Sequence, residues 1–110
     1  MKVMLFAILD HVGATEELLR YLSKEGYNGT VIDTVGMHHV LPKFTEKGSA
    51  AVSLANLVDD LPKGNLTLFI IIEEEKLETL KNKIREATGN FSDVKGGMFV
   101  LPLVSVEGTF

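Results

Sequence analysis

The sequence predicts an α+β domain built from a split β-α-β pair. Residues 2–35 and residues 65–104 each run from an apolar strand pattern of period 2, through an amphipathic helix pattern of period 3.6, to a second strand pattern. This βαββαβ order gives a four-stranded antiparallel sheet with both helices on one face. Because the other face then lacks a cover, we expect the chain to bury it against copies of itself.

The composition fits a single domain over residues 1–110 and excludes several classes of protein. Apolar residues make up 45% and charged residues 24% of the chain, which is not the composition of a disordered segment. Since there is no cysteine, disulfides and a cysteine nucleophile are excluded. The net charge of −4 argues against a nucleic-acid partner. We therefore expect a cytoplasmic protein without nucleic-acid binding or direct membrane insertion.

The first half is predicted to contain a strand, a helix and a second strand. The first strand covers residues 2–9, and Thr15 is the predicted N-cap of a helix that runs to about Glu25 and ends before Gly26. The apolar stripe of this helix consists of Leu18, Leu19 and Leu22. Residues 30–35 are almost all β-branched and form the second predicted strand.

The second half repeats this order. Residues 66–72 are apolar at nearly every position, which predicts a central strand. Residues 73–75 begin the second helix and Gly89 ends it. The core stripe of this helix consists of Leu77, Leu80 and Ile84. In the last predicted strand, residues 98–104, Pro102 has no backbone N–H to donate and therefore indicates a sheet edge or a bulge.

A connector of about 25 residues, 36–60, separates the two halves and is far longer than the roughly 4–6 residues of an ordinary connection. Connections of this length are usually functional, so we expect the connector to take part in recognition. Its apolar part, residues 50–58, also allows an alternative. In that alternative the chain is a protein-interaction module that docks a partner and binds no small molecule.

A glycine-rich segment at residues 88–97 precedes the last predicted strand. Glycine lets backbone N–H groups approach phosphate oxygens closely, and Lys95 adds a positive charge, so the segment suits an anion-binding loop. The same residues also fit a helix cap at Gly89 and a β-bulge at Gly96 and Gly97. Spacing alone leaves both interpretations open.

Two blocks of sequence resemble the second half of the PII family of trimeric signalling proteins. They are VDDLPK at residues 58–63 and, after Thr88 and Gly89, KGGMFV at residues 95–100. The resemblance implies a ferredoxin-like homotrimer that holds a small-molecule effector, commonly an adenine nucleotide, between neighbouring subunits. It also implies that the connector corresponds to the family's long T-loop and contacts a protein target.

The resemblance assigns seven residues to a ligand site: Gly36, Lys63, Thr88, Gly89, Lys95, Gly96 and Gly97. In this assignment the two lysines neutralise the charge of the ligand and the glycines present backbone donors. The segment between Gly89 and Lys95 is NFSDV, however, where the family has closely spaced glycines, and the tail lacks the family's nucleotide-binding arginines. We therefore do not expect ATP to bind in the family's usual pose.

No catalytic signature accompanies these residues, since the sequence contains no nucleophile elbow and no Walker motif. The sequence therefore predicts a non-enzymatic regulatory protein without a resident cofactor.

Three histidines provide a metal-binding alternative. His38 and His39 lie in the connector, and His11 follows the first strand. Adjacent side chains of an extended segment point to opposite faces, so one subunit could not use both connector histidines for the same ion. A metal-binding or metal-sensing trimer would need a site between subunits, which His11 joins if the fold brings the connectors together.

Overall fold

The computed structural model describes residues 1–37 and 64–110. In chain order the elements are β1 (Lys2–Asp10), α1 (Gly13–Lys24), β2 (Thr30–Thr34), β3 (Asn65–Glu73), a 3₁₀ turn (Glu74–Lys76), α2 (Leu77–Thr88) and β4 (Gly96–Pro102). The strands form one antiparallel sheet in the order β2-β3-β1-β4. The predicted α+β class and the ferredoxin-like βαββαβ order are therefore confirmed.

The positions of the strands follow from their side chains. β1 and β3 occupy the centre and pair along their whole length, from Lys2 opposite Glu73 to Asp10 opposite Asn65. β4 lies at one edge, where its last residue, Pro102, is opposite Val3. Both predictions about position, the central third strand and the edge location of the proline strand, are correct.

One face of the sheet is packed against both helices and forms the core. Its four residues from β1, which are Val3, Leu5, Ala7 and Leu9, are each at most 5% exposed. The helices cover them with the predicted stripes, of which Leu18, Leu22, Leu80 and Ile84 are buried and Leu19 and Leu77 are partly buried. Alternation along β1 thus places one set of apolar residues beneath the helices.

The opposite face, called the open face below, is also apolar. It carries Met4, Phe6 and Ile8 of β1, Phe69 and Ile71 of β3, and Phe99 and Leu101 of β4. The ring of Phe6 lies between two other rings, with centroids 5.3 Å from Phe69 and 5.1 Å from Phe99. Ile8 is 38% exposed and Phe99 is 48% exposed, so the elements described here leave much of this face in water.

Several predicted boundaries need correction. Thr15 is not the N-cap of α1: the helix begins at Gly13, and the carbonyl of Val12 accepts the N–H groups of Thr15 and Glu16. Thr15 is instead buried, and its hydroxyl donates to the carbonyl of Asp10. Because this bond ties the first helical turn back to β1, the helix starts earlier than its capping residues suggest.

The second helix and the last strand are also shifted. Glu73 is still part of β3, the next three residues form the 3₁₀ turn, and α2 begins at Leu77. The helix ends as predicted, with Gly89 in the left-handed conformation at φ 61°. β4 begins at Gly96, earlier than expected, and ends at Pro102. None of the described helices is long and apolar enough to cross a membrane.

Candidate functional site

Four segments of the chain meet where β1 ends. The backbone N–H of Asp10 donates to the carbonyl of Lys95 at 2.9 Å, and that of His11 donates to the carbonyl of Gly64 at 3.0 Å. Gly64 also lies close to the end of β2, because a Cβ added there would be 2.5 Å from the carbonyl oxygen of Thr34. The connector leaves the sheet after β2 and returns before β3, so we call this region the connector end.

The connector end contains several residues of the predicted ligand site. Gly36 follows β2 by two residues, Lys95 directly precedes β4, and Gly96 and Gly97 are the first two residues of β4. Thr88 and Gly89 begin the segment 88–95, which leads from α2 to β4 and is called the glycine loop below. The predicted ligand Lys63 lies outside the described residues.

The metal-binding alternative gains no support from the part of the chain that is described. His11 lies at the connector end, and its Nε2 is 3.2 Å from Oε1 of Glu16. Within residues 1–37 and 64–110 no group of three histidine or carboxylate side chains could hold an ion. His38 and His39 fall outside these ranges, so a site between subunits stays a prediction.

Thr88 anchors the glycine loop from inside the protein. It is 1% exposed, and its hydroxyl donates to the carbonyl of Ile84 at 2.8 Å and accepts the N–H of Phe91 at 3.2 Å. Its carbonyl accepts the N–H groups of Asp93 at 3.0 Å and Val94 at 3.2 Å. The polar groups of Thr88 are therefore used to fold the loop.

The loop turns through three successive left-handed residues. Gly89, Asn90 and Phe91 have φ values of 61°, 56° and 66°. The left-handed φ of the first residue favours glycine, and a Cβ there would displace the carboxylate of Asp93, whose Oδ2 would be 2.2 Å away. A positive φ is unusual for phenylalanine, and the packing of the Phe91 ring against the core offsets the cost.

Gly96 and Gly97 are adjacent but have different roles. A Cβ added to Gly96, whose φ is 144°, would be 2.0 Å from the carbonyl oxygen of Ile8, so the close approach of β4 to β1 requires glycine there. A Cβ added to Gly97 would meet nothing within 4 Å. The two residues pair one-to-one with Leu9 and Ile8, so they form no bulge. Gly97 leaves free space on the open face.

The open face becomes polar towards the connector end. The hydroxyl oxygens of Thr34 and Thr67 are 2.8 Å apart and share a hydrogen bond, and Thr67 is buried. Sequence reasoning missed this pair, because threonine in a β-branched strand ordinarily reflects strand propensity. Only the register, which places Ile32 opposite Thr67 and Thr34 opposite Asn65, brings the two hydroxyls together.

The shifted pKa values lie elsewhere, on the helix surface. Nζ of Lys83 on α2 donates to the hydroxyl of Tyr21 at 3.0 Å and to Oε1 of Glu25 at 3.4 Å. The bond to Tyr21 is the largest cause of the raised pKa of Lys83, and a bond from Tyr21 likewise is the largest cause of the lowered pKa of Glu25. This group links the two helices and is separate from the connector end.

A cavity of about 370 Å³ lies at the opposite end of the sheet. Its walls include Lys2 at the start of β1, Ile71 near the end of β3, and Tyr27, Lys76 and Phe110. Because none of the predicted ligand residues lines it, this cavity is not part of the connector end.

No protein-family model and no curated protein matches the chain. Solved structures do. A functionally unknown protein from Pediococcus pentosaceus ATCC 25745 is 18% identical with a TM-score of 0.60, over 98% of this chain and 97% of that one. Arabidopsis thaliana PII bound to citrate is 21% identical with a TM-score of 0.59, over 93% of this chain and 77% of that one. At these identities the likeness establishes the fold, and the chain therefore has the PII-like form of the ferredoxin-like fold that the sequence resemblance implies.

Proposed function

We propose that the chain is a non-enzymatic regulatory protein of the PII type. Three copies pack their open faces around a threefold axis, and a small anionic metabolite binds at the connector end between neighbouring subunits. An adenine nucleotide is the first ligand to test. Binding orders the connector, residues 36–60, which a protein target then contacts. The protein acts in the cytoplasm and requires no resident cofactor for this role.

The observation that carries this proposal is the open face. Its seven apolar side chains cross three strands without interruption, centred on the row formed by Phe69, Phe6 and Phe99. Contiguous apolar surface of this kind marks an interaction site. Burying it against identical faces removes apolar area from water on every copy at once, which favours a closed symmetric assembly.

The polar border of this face supports a ligand site between subunits. If the aromatic row is buried, the Thr34–Thr67 pair and the free space at Gly97 lie at the margin of the contact. Lys95 is exposed beside them and supplies a positive charge. One chain offers these groups on an open surface, and a second chain is needed to enclose a ligand.

The test combines sedimentation with calorimetry. We expect the purified protein to sediment as a trimer and to bind adenine nucleotides saturably. Lys95→Ala should weaken binding by about tenfold or more, because a charged hydrogen bond is lost. Lys63→Ala should have a similar effect if the predicted role of that lysine holds. Lys76→Ala removes an exposed charge at the other end of the sheet and is the matched control, with unchanged affinity.

Two results would contradict the proposal. One is a monomer at micromolar concentration, which would remove the shared site. The other is nucleotide binding that is equally strong in the wild type and in Lys95→Ala, which would place the ligand elsewhere.

A further inference from the structure

We infer that the connector end recognises one anionic group of its ligand, a single phosphate or carboxylate, and not a polyphosphate chain. The inference rests on the proposed function and specifies the ligand class for the same site. It follows from how the glycine loop uses its own backbone donors.

Every backbone N–H from Gly89 to Val94 is already hydrogen-bonded. The acceptors, in chain order, are Glu86 O at 3.4 Å, Arg85 O at 2.8 Å, Thr88 Oγ1 at 3.2 Å, Gly89 O at 3.2 Å, and Thr88 O at 3.0 and 3.2 Å. A loop that cradles a phosphate chain must direct several successive N–H groups at the ligand. In the glycine loop these six N–H groups instead donate to acceptors within the loop and at the end of α2.

Core packing holds the loop in this conformation, in which its N–H groups bind acceptors of the protein. Val94 and Thr88 are both buried, and Phe91 packs against the same core. The side chain of Asp93 lies over Gly89, where it occupies the space of a missing Cβ. Freeing the N–H groups for a ligand would therefore pull two buried residues out of the core. The binding of an anion would have to offset the free-energy cost of exposing them.

Lys95 is the cationic residue of this loop and can pair with an anionic ligand. Its side chain is exposed, and its N–H makes no hydrogen bond to any other described residue. Its carbonyl accepts the backbone N–H of Asp10 at 2.9 Å, which fixes the lysine at the end of β1. One anionic group can pair with the lysine, whereas further phosphates would find the N–H groups of Gly89 to Val94 already hydrogen-bonded.

The experiment is a calorimetric series at constant ionic strength with adenosine, AMP, ADP and ATP. AMP should bind at least tenfold more tightly than adenosine, and ADP and ATP should lie within about threefold of AMP. A parallel series with pyruvate and citrate identifies a carboxylate ligand, with pyruvate expected to bind at least as tightly as citrate. Lys95→Arg should retain most of the affinity that Lys95→Ala loses.

The outcomes separate this inference from the proposed function. Suppose that ATP binds more than tenfold more tightly than AMP, or citrate more than tenfold more tightly than pyruvate, and that Lys95→Ala weakens this binding. That result would overturn the inference and leave the site in place. Binding of none of these compounds would overturn both. Amide NMR gives a second readout: the N–H signals of residues 90–94 should keep their positions when ATP is added, and a shift of these signals would show that they bind it.

Discussion

The two faces of β1 carry the same kind of side chain but meet different surroundings. Leu5 is completely buried beneath the helices, whereas its neighbour Phe6 is partly exposed between two other rings on the open face. A strand that is apolar on both faces needs a cover on each, and within residues 1–37 and 64–110 the two helices cover one of them. Under the proposed function, folding buries one face of β1 and association buries the other.

The largest expected effect comes from placing a charge on the open face. Phe99 is half exposed in one chain, so Phe99→Lys should leave the fold intact, but it would bury an unpaired charge in the assembly. We expect sedimentation to change from trimer to monomer, with an unchanged circular dichroism spectrum. Tyr21→Gln, a comparable loss of an exposed aromatic ring on α1, is the control and should keep the trimer. A Phe99→Lys trimer would mean that the open face is not the interface.

The covered face should dominate the stability of the single chain. Leu5→Ala leaves a cavity under both helices and should lower the free energy of unfolding by about 3 kcal/mol. Met4→Ala on the open face should cost about 1 kcal/mol or less, because Met4 is only partly buried. Urea unfolding in the Phe99→Lys background removes the effect of association from both values. Equal losses would show that the two faces are covered alike within one chain.

The adjacent residues Gly96 and Gly97 allow the core face and the open face to be compared within β4. Gly96→Ala pushes a Cβ against the backbone of Ile8 and forces alanine to a positive φ, so it should destabilise the chain by about 2 kcal/mol. Gly97→Ala adds a methyl group in open space and should change the stability of the single chain by less than about 0.5 kcal/mol. The same urea titration measures both, and a larger cost at Gly97 would contradict the register of β4.

The sequence predicts the layers of this fold better than its connections. The helix stripes follow from periodicity and the central third strand from its nearly continuous apolar run, and both patterns report burial directly. Periodicity does not predict the left-handed φ of Phe91, which depends on core packing. Nor does it predict the Thr34–Thr67 pair, which depends on strand register. The glycines at 96 and 97 look alike in sequence, and only the distance from β4 to β1 separates their roles.

The smallest expected effect concerns how the covering helices are held together. Lys83→Met removes the link from α2 to Tyr21 and Glu25 and should lower the melting temperature by about 1–3 °C at pH 7, since these groups are exposed. The pKa of Glu25 is lowered in the folded chain, so its contribution is complete above the unfolded value of about 4.3 and is lost as the pH falls through the folded value. The difference in melting temperature between wild type and variant should therefore shrink on acidification.

Lys81→Met, which removes a pair with Glu78 on the same helix, is the control. A difference that persists in acid would show that Lys83 acts through Tyr21, because the carboxylate of Glu25 is then protonated.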